Sequence, residues 1–202
     1  MRILITNDDG VDSPGIHELA VQIEKAGYEA IVVAPDHNAS GTGTSVGPLA
    51  GDQPIAVTPS KIDGFSGEVY GVAGPPALCT LAGYMEAFGP APDVIVSGIN
   101  AGLNPGRAVT HSGTVGAAIA GQNLGLRSIA VSVDVVLPWH WYTAAELTVE
   151  ILPHLIAGPS HTVLNLNVPG LPSNEVKGIR WASLAPYGTY RGTMKLQDNQ
   201  LV

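Results

Sequence analysis

The stretch Arg2-Ile3-Leu4-Ile5-Thr6, followed at once by Asn7-Asp8-Asp9-Gly10, decides the fold class of this 202-residue chain. A short aliphatic run that ends at a polar turn is typical of a buried strand in a parallel sheet. Two adjacent carboxylates in such a turn repel each other unless a cation offsets their charge. Because hard divalent cations prefer oxygen ligands, Asp8 and Asp9 predict a metal site. The alternative is an Asx turn that caps the following segment, which needs only one acid.

Strand and helix signals alternate along the rest of the chain. This alternation predicts a Rossmann-like α/β fold with a doubly wound, mainly parallel sheet. We expect a single domain over residues 1–202, with a core to about residue 170 and a late extension of irregular β or hairpin structure from about residue 171. The predicted strands are Arg2–Thr6, Ala30–Ala34, Ile55–Val57, Glu68–Val72, Val94–Val96, Ser128–Val133, Val163–Asn167 and Ile179–Leu184. The predicted helices are Ile16–Ala26, Ala77–Phe88, Thr114–Leu124 and Thr143–Ala157.

The composition excludes several classes of protein. Hydrophobic residues make up 45% of the chain and charged residues 13%, as in a packed globular protein. A formal net charge of −8 disfavours binding to nucleic-acid polymers. No apolar run is long enough to span a bilayer, and the chain enters a strand at once without a secretory signal, so we expect a cytoplasmic protein with no membrane partner. Cys79 is the only cysteine, which excludes an internal disulfide and a cysteine-rich zinc site.

Polar residues follow three of the predicted strands. Asp8 and Asp9 follow the first, Ser40 the second, and Asn100 lies in the glycine-rich loop after the strand at Val94–Val96. Because ligands of open parallel sheets bind at the carboxyl ends of the strands, we expect these four side chains to converge on one cation. Carboxylate, hydroxyl and amide oxygens suit Mg²⁺ or Mn²⁺. Taken singly, Ser40 could be merely solvated, and Asn100 could merely shape a turn.

Ser112-Gly113-Thr114 comes directly before a predicted helix. Its hydroxyls and free N–H groups could hold a phosphate, although ordinary helix capping by Ser112 explains the tripeptide equally simply. Asn7, Gly41 and Asn104 lie in the same loops and complete the predicted substrate-binding set; Asn104, like Asn100, could merely shape a turn. His111 either contacts substrate or holds its loop. The aromatic run 139–142 indicates packing or a subunit contact. A dinucleotide fingerprint, a P-loop, a nucleophile elbow and a zinc-binding helix are all absent from the sequence.

Taken together, these motifs resemble the SurE survival-protein family of nucleotidases. The opening through Asn7-Asp8-Asp9-Gly10 is similar to the start of that family. The later segments match in order and cover nearly the whole chain: Asn38-Ala39-Ser40-Gly41, Ser97–Asn104, Ser112-Gly113-Thr114-Val115, Leu164–Pro169 and Lys177–Arg180.

The resemblance implies a metal-dependent phosphatase that acts on nucleoside 5′- and 3′-monophosphates, with one divalent ion per subunit. Asp8, Asp9, Ser40 and Asn100 would be the metal ligands, and Asp8 or Asp9 could also orient the attacking water. The resemblance also implies a homodimer or homotetramer that exchanges C-terminal elements. Two departures stand out: the segment Gly74–Cys79 lacks the acid that the family usually has before the cysteine, and the chain stops at Val202, earlier than the family leads us to expect.

Two other functions remain open from the sequence. One is a catalytically silent protein that binds a nucleotide or a metal on the same fold, because fold alone does not determine activity. The other is a glycosyltransferase that uses the carboxylates to hold a metal and a sugar nucleotide, although no donor-binding motif supports it.

Overall fold

The computed structural model of the protein describes residues 1–47, 53–187, 193–197 and 199–201. Parts of the predicted loop 36–54 and of the predicted extension therefore lie outside the described residues. The described residues form a seven-stranded sheet and four α-helices. The strands are β1 (Arg2–Thr6), β2 (Glu29–Pro35), β3 (Val57–Ser60), β4 (Val69–Val72), β5 (Val94–Ala101), β6 (Arg127–Val133) and β7 (Val163–Val168). The helices are α1 (Pro14–Lys25), α2 (Pro76–Tyr84), α3 (Gly113–Asn123) and α4 (Trp141–Ala157).

The sheet has the order β3-β4-β2-β1-β5-β6-β7, and only β3 runs antiparallel to its neighbour. Helices α1 and α4 pack together on one face, and α2 and α3 pack together on the other. The chain winds outward from β1 in both directions, so the strand order reverses between β1 and β5. The predicted doubly wound α/β fold is confirmed, and β1 lies at the switch point where such sheets bind ligands.

The core follows the periodicities of the sequence. In β1, Ile3, Leu4 and Ile5 are fully or almost fully buried, as expected for a strand covered on both faces. In α1, the buried side chains recur at helical spacing and form the face that packs on the sheet. These residues are Ile16, Leu19, Ala20 and Ile23. No helix in the described part of the chain is long and apolar enough to cross a membrane.

Several predicted elements differ from the structure. The predicted strand Ile179–Leu184 is wrong: this segment is irregular and exposed, and near it only a single bridge joins Ala185 to Gly106. Helix α2 ends at Tyr84 and not at Phe88, since Glu86 adopts a left-handed conformation with φ of 63° that a helix cannot continue. The strand predicted at Ile55–Val57 begins only at Val57, where it forms the edge strand β3.

Strand β5 is longer than predicted. The sequence places a glycine-rich loop from Gly98 onward, whereas the strand continues to Ala101 with an irregularity between Ser97 and Asn100. Bulges of this kind redirect side chains and are common next to functional sites. This one places Asn100 in register with Ser132 of β6, at the carboxyl edge of the sheet. Beyond β7, a short hairpin of β8 (Leu196–Gln197) and β9 (Gln200–Leu201) forms part of the predicted extension.

Candidate metal centre

The two adjacent carboxylates lie at the end of β1, at the switch point of the sheet. Asp8 is 3% exposed and Asp9 is half-buried. Burial raises the pKa of Asp8 above its ordinary value, against the lowering effect of hydrogen bonds from Thr114 and Gly113. Burial also raises the pKa of Asp9, and the neighbouring charge of Asp8 raises it further. The protein therefore holds two acids that resist ionisation in the absence of a compensating cation.

The start of α3 holds the carboxylate of Asp8. The hydroxyl of Thr114 donates to Oδ1 of Asp8, and the N–H of Gly113 donates to Oδ2 at 3.0 Å. The contact is tight enough to require glycine, because a Cβ at position 113 would lie 2.6 Å from Cβ of Asp8. Two groups that the sequence predicts for phosphate binding are thus hydrogen-bonded to the acid. Ser112 caps the helix by accepting from the N–H of Val115 at 3.1 Å, which is the capping alternative weighed above.

The loop after β5 contacts the other acid. The N–H of Ala101 donates to Oδ2 of Asp9 at 3.3 Å. Asn100, the preceding residue, donates its amide N–H to the carbonyl of Gly102. Since the nitrogen end of this amide is engaged, its carbonyl oxygen is the end that can bind a cation. Asn100 thus directly precedes the residue whose N–H contacts Asp9, and its role as a metal ligand stays a prediction.

The loop after β2 reaches the same edge through its backbone. The N–H of Ala39 donates to the carbonyl of Asp8 at 2.7 Å, and the exposed Ser40 follows directly. Gly41 has a φ of 85°, and no atom lies within 4 Å of the position of a Cβ there, so this part of the loop faces open space. The N–H of Ser40 binds the side chain of Asn38, and that of Thr42 binds the carbonyl of Ala39. Gly41 is therefore exposed, and its role in binding phosphate stays a prediction.

Asn7 and Asn104, both predicted to bind substrate, are buried. Asn7 is 0% exposed, and its side-chain amide bonds to the backbone of Gly10 and the hydroxyl of Ser13. These bonds stabilise the turn that carries the two acids. Asn104 is 7% exposed, and its amide N–H donates to Ser132 at 2.9 Å. Their observed contacts are with the protein, and a role in binding substrate stays a prediction.

Other residues near the site were either left open or not identified from the sequence. The backbone carbonyl of His111 accepts from the N–H of Gly43, which ties the loop after β2 to the segment before α3. Trp139 and Trp141 stack with ring centroids 4.6 Å apart and pack against the core, in line with the packing interpretation. Sequence reasoning gave no role to Asn165 and Asn167, which bind the loop around Asn104. Their signal was present, since both lie in the Leu164–Pro169 motif.

The candidate ligand atoms at this edge of the sheet can be compared with those that Mg²⁺ and Mn²⁺ prefer. The described residues contain no group of three or more His, Cys, Asp or Glu side chains placed to hold a metal. The acid pair, with the predicted ligands Ser40 and Asn100 on the two loops that contact it through their backbone, would form an all-oxygen set that suits Mg²⁺ or Mn²⁺. The raised pKa values of both acids agree with a site that a cation completes.

Comparison with known proteins identifies the family of this chain. The sequence profile of the family described as "Survival protein SurE" matches residues 3–189. The chain belongs to the SurE family. The SurE protein of Aquifex aeolicus, known from a crystal structure, superimposes with a TM-score of 0.75 at 38% identity, over 89% of this chain and 71% of that one.

Curated SurE proteins are similar over most of this chain. A protein named 5′-nucleotidase SurE from Stenotrophomonas maltophilia (strain K279a) is 43% identical over 205 residues, which cover 98% of this chain and 75% of the relative. A protein named 5′/3′-nucleotidase SurE from Erwinia tasmaniensis is 43% identical over 183 residues, which cover 89% of this chain and 68% of that protein. The resemblance that the sequence motifs indicated is thus confirmed.

Proposed function

We propose that this SurE-family chain is a divalent-metal-dependent phosphomonoesterase that hydrolyses nucleoside 5′- and 3′-monophosphates to nucleoside and phosphate. The names of its relatives, 5′-nucleotidase and 5′/3′-nucleotidase SurE, support the reaction. The observation that carries the proposal is the acid pair at the switch point, where Asp8 is buried and held by α3 while Asp9 is half-open. An acid pair with raised pKa values is costly to bury and is typical of a functional site.

In this proposal, Asp8, Asp9, Ser40 and Asn100 hold one Mg²⁺ or Mn²⁺ ion per subunit. When bound, the ion supplies positive charge that offsets the carboxylates and the phosphate oxygens, and it promotes ionisation of water near neutral pH. Hydrogen bonds from α3 orient both carboxylate oxygens of Asp8, and each oxygen keeps a lone pair for a cation. We therefore assign Asp8 the task of holding the ion. Asp9 is the more open acid, and we assign it the task of orienting the attacking water.

The backbone around Gly41 would bind the remaining phosphate oxygens, because this part of the loop faces open space and follows Ala39, whose N–H donates to the carbonyl of Asp8. In hydrolysis, the oxygen of the attacking water forms a bond to phosphorus while the bond between phosphorus and the ribose oxygen breaks. The ribose oxygen takes up a proton that the water gives up, so the products are the nucleoside and phosphate. Positioning of substrate and water supplies much of the rate in reactions of this kind.

The main test is phosphate release from nucleoside monophosphates in Mn²⁺, in Mg²⁺ and in EDTA, with the variants Asp9→Asn and Asp12→Asn. Asp12 is exposed and lies three residues further along, so it provides a matched loss of one carboxylate. We expect Asp9→Asn and EDTA to lower the rate by about 100-fold or more, and Asp12→Asn to have little effect. Full activity in Asp9→Asn or in EDTA contradicts the proposed site. Metal binding without phosphate release would favour the catalytically silent binder.

We further propose that the protein forms a homodimer or homotetramer through the segment that follows β7. Large apolar side chains in this segment are strongly exposed, with Trp181 at 89% and Met194 at 82%. Exposed apolar surface of this kind marks association sites. Light scattering of the wild type and of Trp181→Ser tests this, and a monomeric wild type would contradict it. A cytoplasmic location stays a prediction that cell fractionation would check.

A further inference from the structure

The Leu164–Pro169 motif has no part in the metal site described above, although it lies on the central sheet. Within it, Asn165 and Asn167 occupy alternate positions of β7, so their side chains lie on the same face of the strand. Both contact Asn104. The amide N–H of Asn165 donates to the carbonyl of Asn104 at 2.9 Å, and Oδ1 of Asn167 accepts from the N–H of Asn104 at 2.7 Å.

Asn104 is held at several points at once. Besides the two bonds from β7, its own amide N–H donates to the hydroxyl of Ser132 on β6 at 2.9 Å. Its carbonyl also receives a weaker contact of 3.5 Å from the amide N–H of Asn167. We call such a residue, whose backbone and side chain are both bonded to neighbouring strands, an anchor. Its hydrogen bonds offset the conformational entropy that is lost when the loop becomes ordered.

The anchor is close to the candidate metal centre in sequence and in space. Asn104 follows Asn100 by four residues and Ala101, whose N–H donates to Asp9, by three. The register of the sheet also places Asn100, Ser132 and Asn167 side by side on three consecutive strands. We therefore expect a shift of Asn104 to move the short segment that carries a predicted metal ligand and a hydrogen bond to the acid pair.

Asn165 contributes to the anchor only through its N–H donor. Its Oδ1 atom is buried and has no hydrogen-bond partner among the described residues. A buried acceptor without a partner is unfavourable, so the value of an amide at this position lies in the bond from its nitrogen to the carbonyl of Asn104.

We propose that Asn165 is a positioning residue of the metal centre. Its amide N–H holds the carbonyl of Asn104, and thereby holds Asn100 and Ala101 against Asp9 in the geometry that binds the cation. This inference rests on the proposed function for its link to catalysis, but the anchoring of the loop can be measured without any activity.

The polarity of the two bonds provides a sharp test. In Asn165→Asp an acceptor replaces the donor, so a carboxylate oxygen would face the carbonyl of Asn104. In Asn167→Asp the acceptor for the N–H of Asn104 is retained, and only the 3.5 Å contact is lost. The same chemical change, two residues apart on one strand, should therefore have a large effect at Asn165 and a small effect at Asn167. Asn123→Asp, at the exposed last residue of α3, controls for the added charge.

The experiment measures amide hydrogen–deuterium exchange of residues 101–104, together with Mn²⁺ affinity by calorimetry, in the full chain. We expect Asn165→Asp to speed exchange of this segment by about tenfold and to weaken Mn²⁺ binding by about tenfold. We expect Asn167→Asp to change each by less than about threefold, and Asn123→Asp to change neither. If Asn165→Asp does not fold, Asn165→Ala removes the donor without adding charge and is expected to show the same two effects in smaller measure.

Several outcomes would overturn the proposal. Equal effects of Asn165→Asp and Asn167→Asp would show that the polarity of the bonds does not matter. A folded Asn165→Asp or Asn165→Ala with wild-type exchange would show that Asn165 does not anchor the loop. Faster exchange with unchanged Mn²⁺ affinity would break the link to the metal centre. If the wild type bound Mn²⁺ but released no phosphate from nucleotides, the proposed function would fail while this inference would still be judged by exchange and affinity.

Discussion

Thr114, at the start of α3, donates its hydroxyl proton to Oδ1 of Asp8, at the end of β1. The two residues are 106 positions apart in sequence, and Thr114 is fully buried. The bond joins the first helical turn of α3 to an acid whose pKa is raised by burial and lowered by its hydrogen bonds. It therefore both orients Asp8 and favours the charged form that a cation needs.

Removal of this hydroxyl should weaken the metal centre. We expect Thr114→Val, which preserves shape, to weaken Mn²⁺ binding by about 10- to 100-fold, because a hydrogen bond to a buried charged group is lost. Thr114→Ser keeps the hydroxyl and should retain most of the affinity. Calorimetry with Mn²⁺ on both variants checks this. Equal affinity in Thr114→Val and the wild type would show that the bond does not support metal binding.

A side chain at position 113 should displace Asp8. The Cβ of Gly113→Ala would lie 2.6 Å from Cβ and 2.9 Å from Oδ2 of Asp8, so the helix start and the acid must separate. We expect a loss of about 1–3 kcal/mol in the free energy of unfolding together with a large loss of activity per folded molecule. Gly27→Ala is the control, since Gly27 has a φ of 86° but open space around its Cβ position.

Gly27→Ala should lose stability from backbone strain alone, about 1–2 kcal/mol, and keep its activity per folded molecule. Denaturant titration and a phosphate-release assay on both variants separate the two effects. Full activity in Gly113→Ala would mean that Asp8 tolerates displacement, contrary to our assignment.

Removal of the helix cap should affect stability more than substrate binding. Ser112 accepts from the N–H of Val115, so we expect Ser112→Ala to lower the free energy of unfolding by about 1 kcal/mol. Ser112→Thr should restore part of this loss. Steady-state kinetics decide between capping and the predicted phosphate contact: a rise in KM of more than about tenfold in Ser112→Ala would show that Ser112 also binds phosphate.

The acid pair should make the folded protein less stable as pH rises in the absence of metal, and bound metal should oppose this loss. Both carboxyl groups have a pKa raised above the ordinary 3.8, so between that value and their raised values the folded state binds more protons than the unfolded state. Without metal, their contribution to stability is therefore lost as pH rises through this window. Mn²⁺ binds the ionised pair, so its stabilising effect should grow as pH rises.

The measurement is the Tm difference between the wild type and Asp9→Asn from about pH 4 to about pH 7, in EDTA and in Mn²⁺, because the difference cancels the titration of other groups. In EDTA, the wild type should become less stable relative to Asp9→Asn as pH rises. A difference that stays constant with pH would contradict the burial of this pair.

Much of the fold could be predicted from local patterns. The aliphatic run in β1 and the helical spacing in α1 report burial directly, because a buried strand and a one-sided helix each need a particular order of apolar residues. The last predicted strand, Ile179–Leu184, shows where this fails. Its residues favour strand structure, but a strand also needs a neighbour to pair with, and the described residues provide only one bridge near it.

The sequence by itself determined the doubly wound sheet, the acidic turn at the end of β1, and the loops that meet at that edge, since strand direction alone brings those loops together. Only the tertiary structure decided which groups bind each other there. Thr114 and Gly113 could have faced a phosphate or an acid, and the packing of α3 against Asp8 selected the acid. Likewise, only the pairing of β6 with β7 placed Asn165 beside Asn104, across 61 residues of chain. Hydrogen-bond partners so distant in sequence are set by how whole elements pack, which no local pattern records.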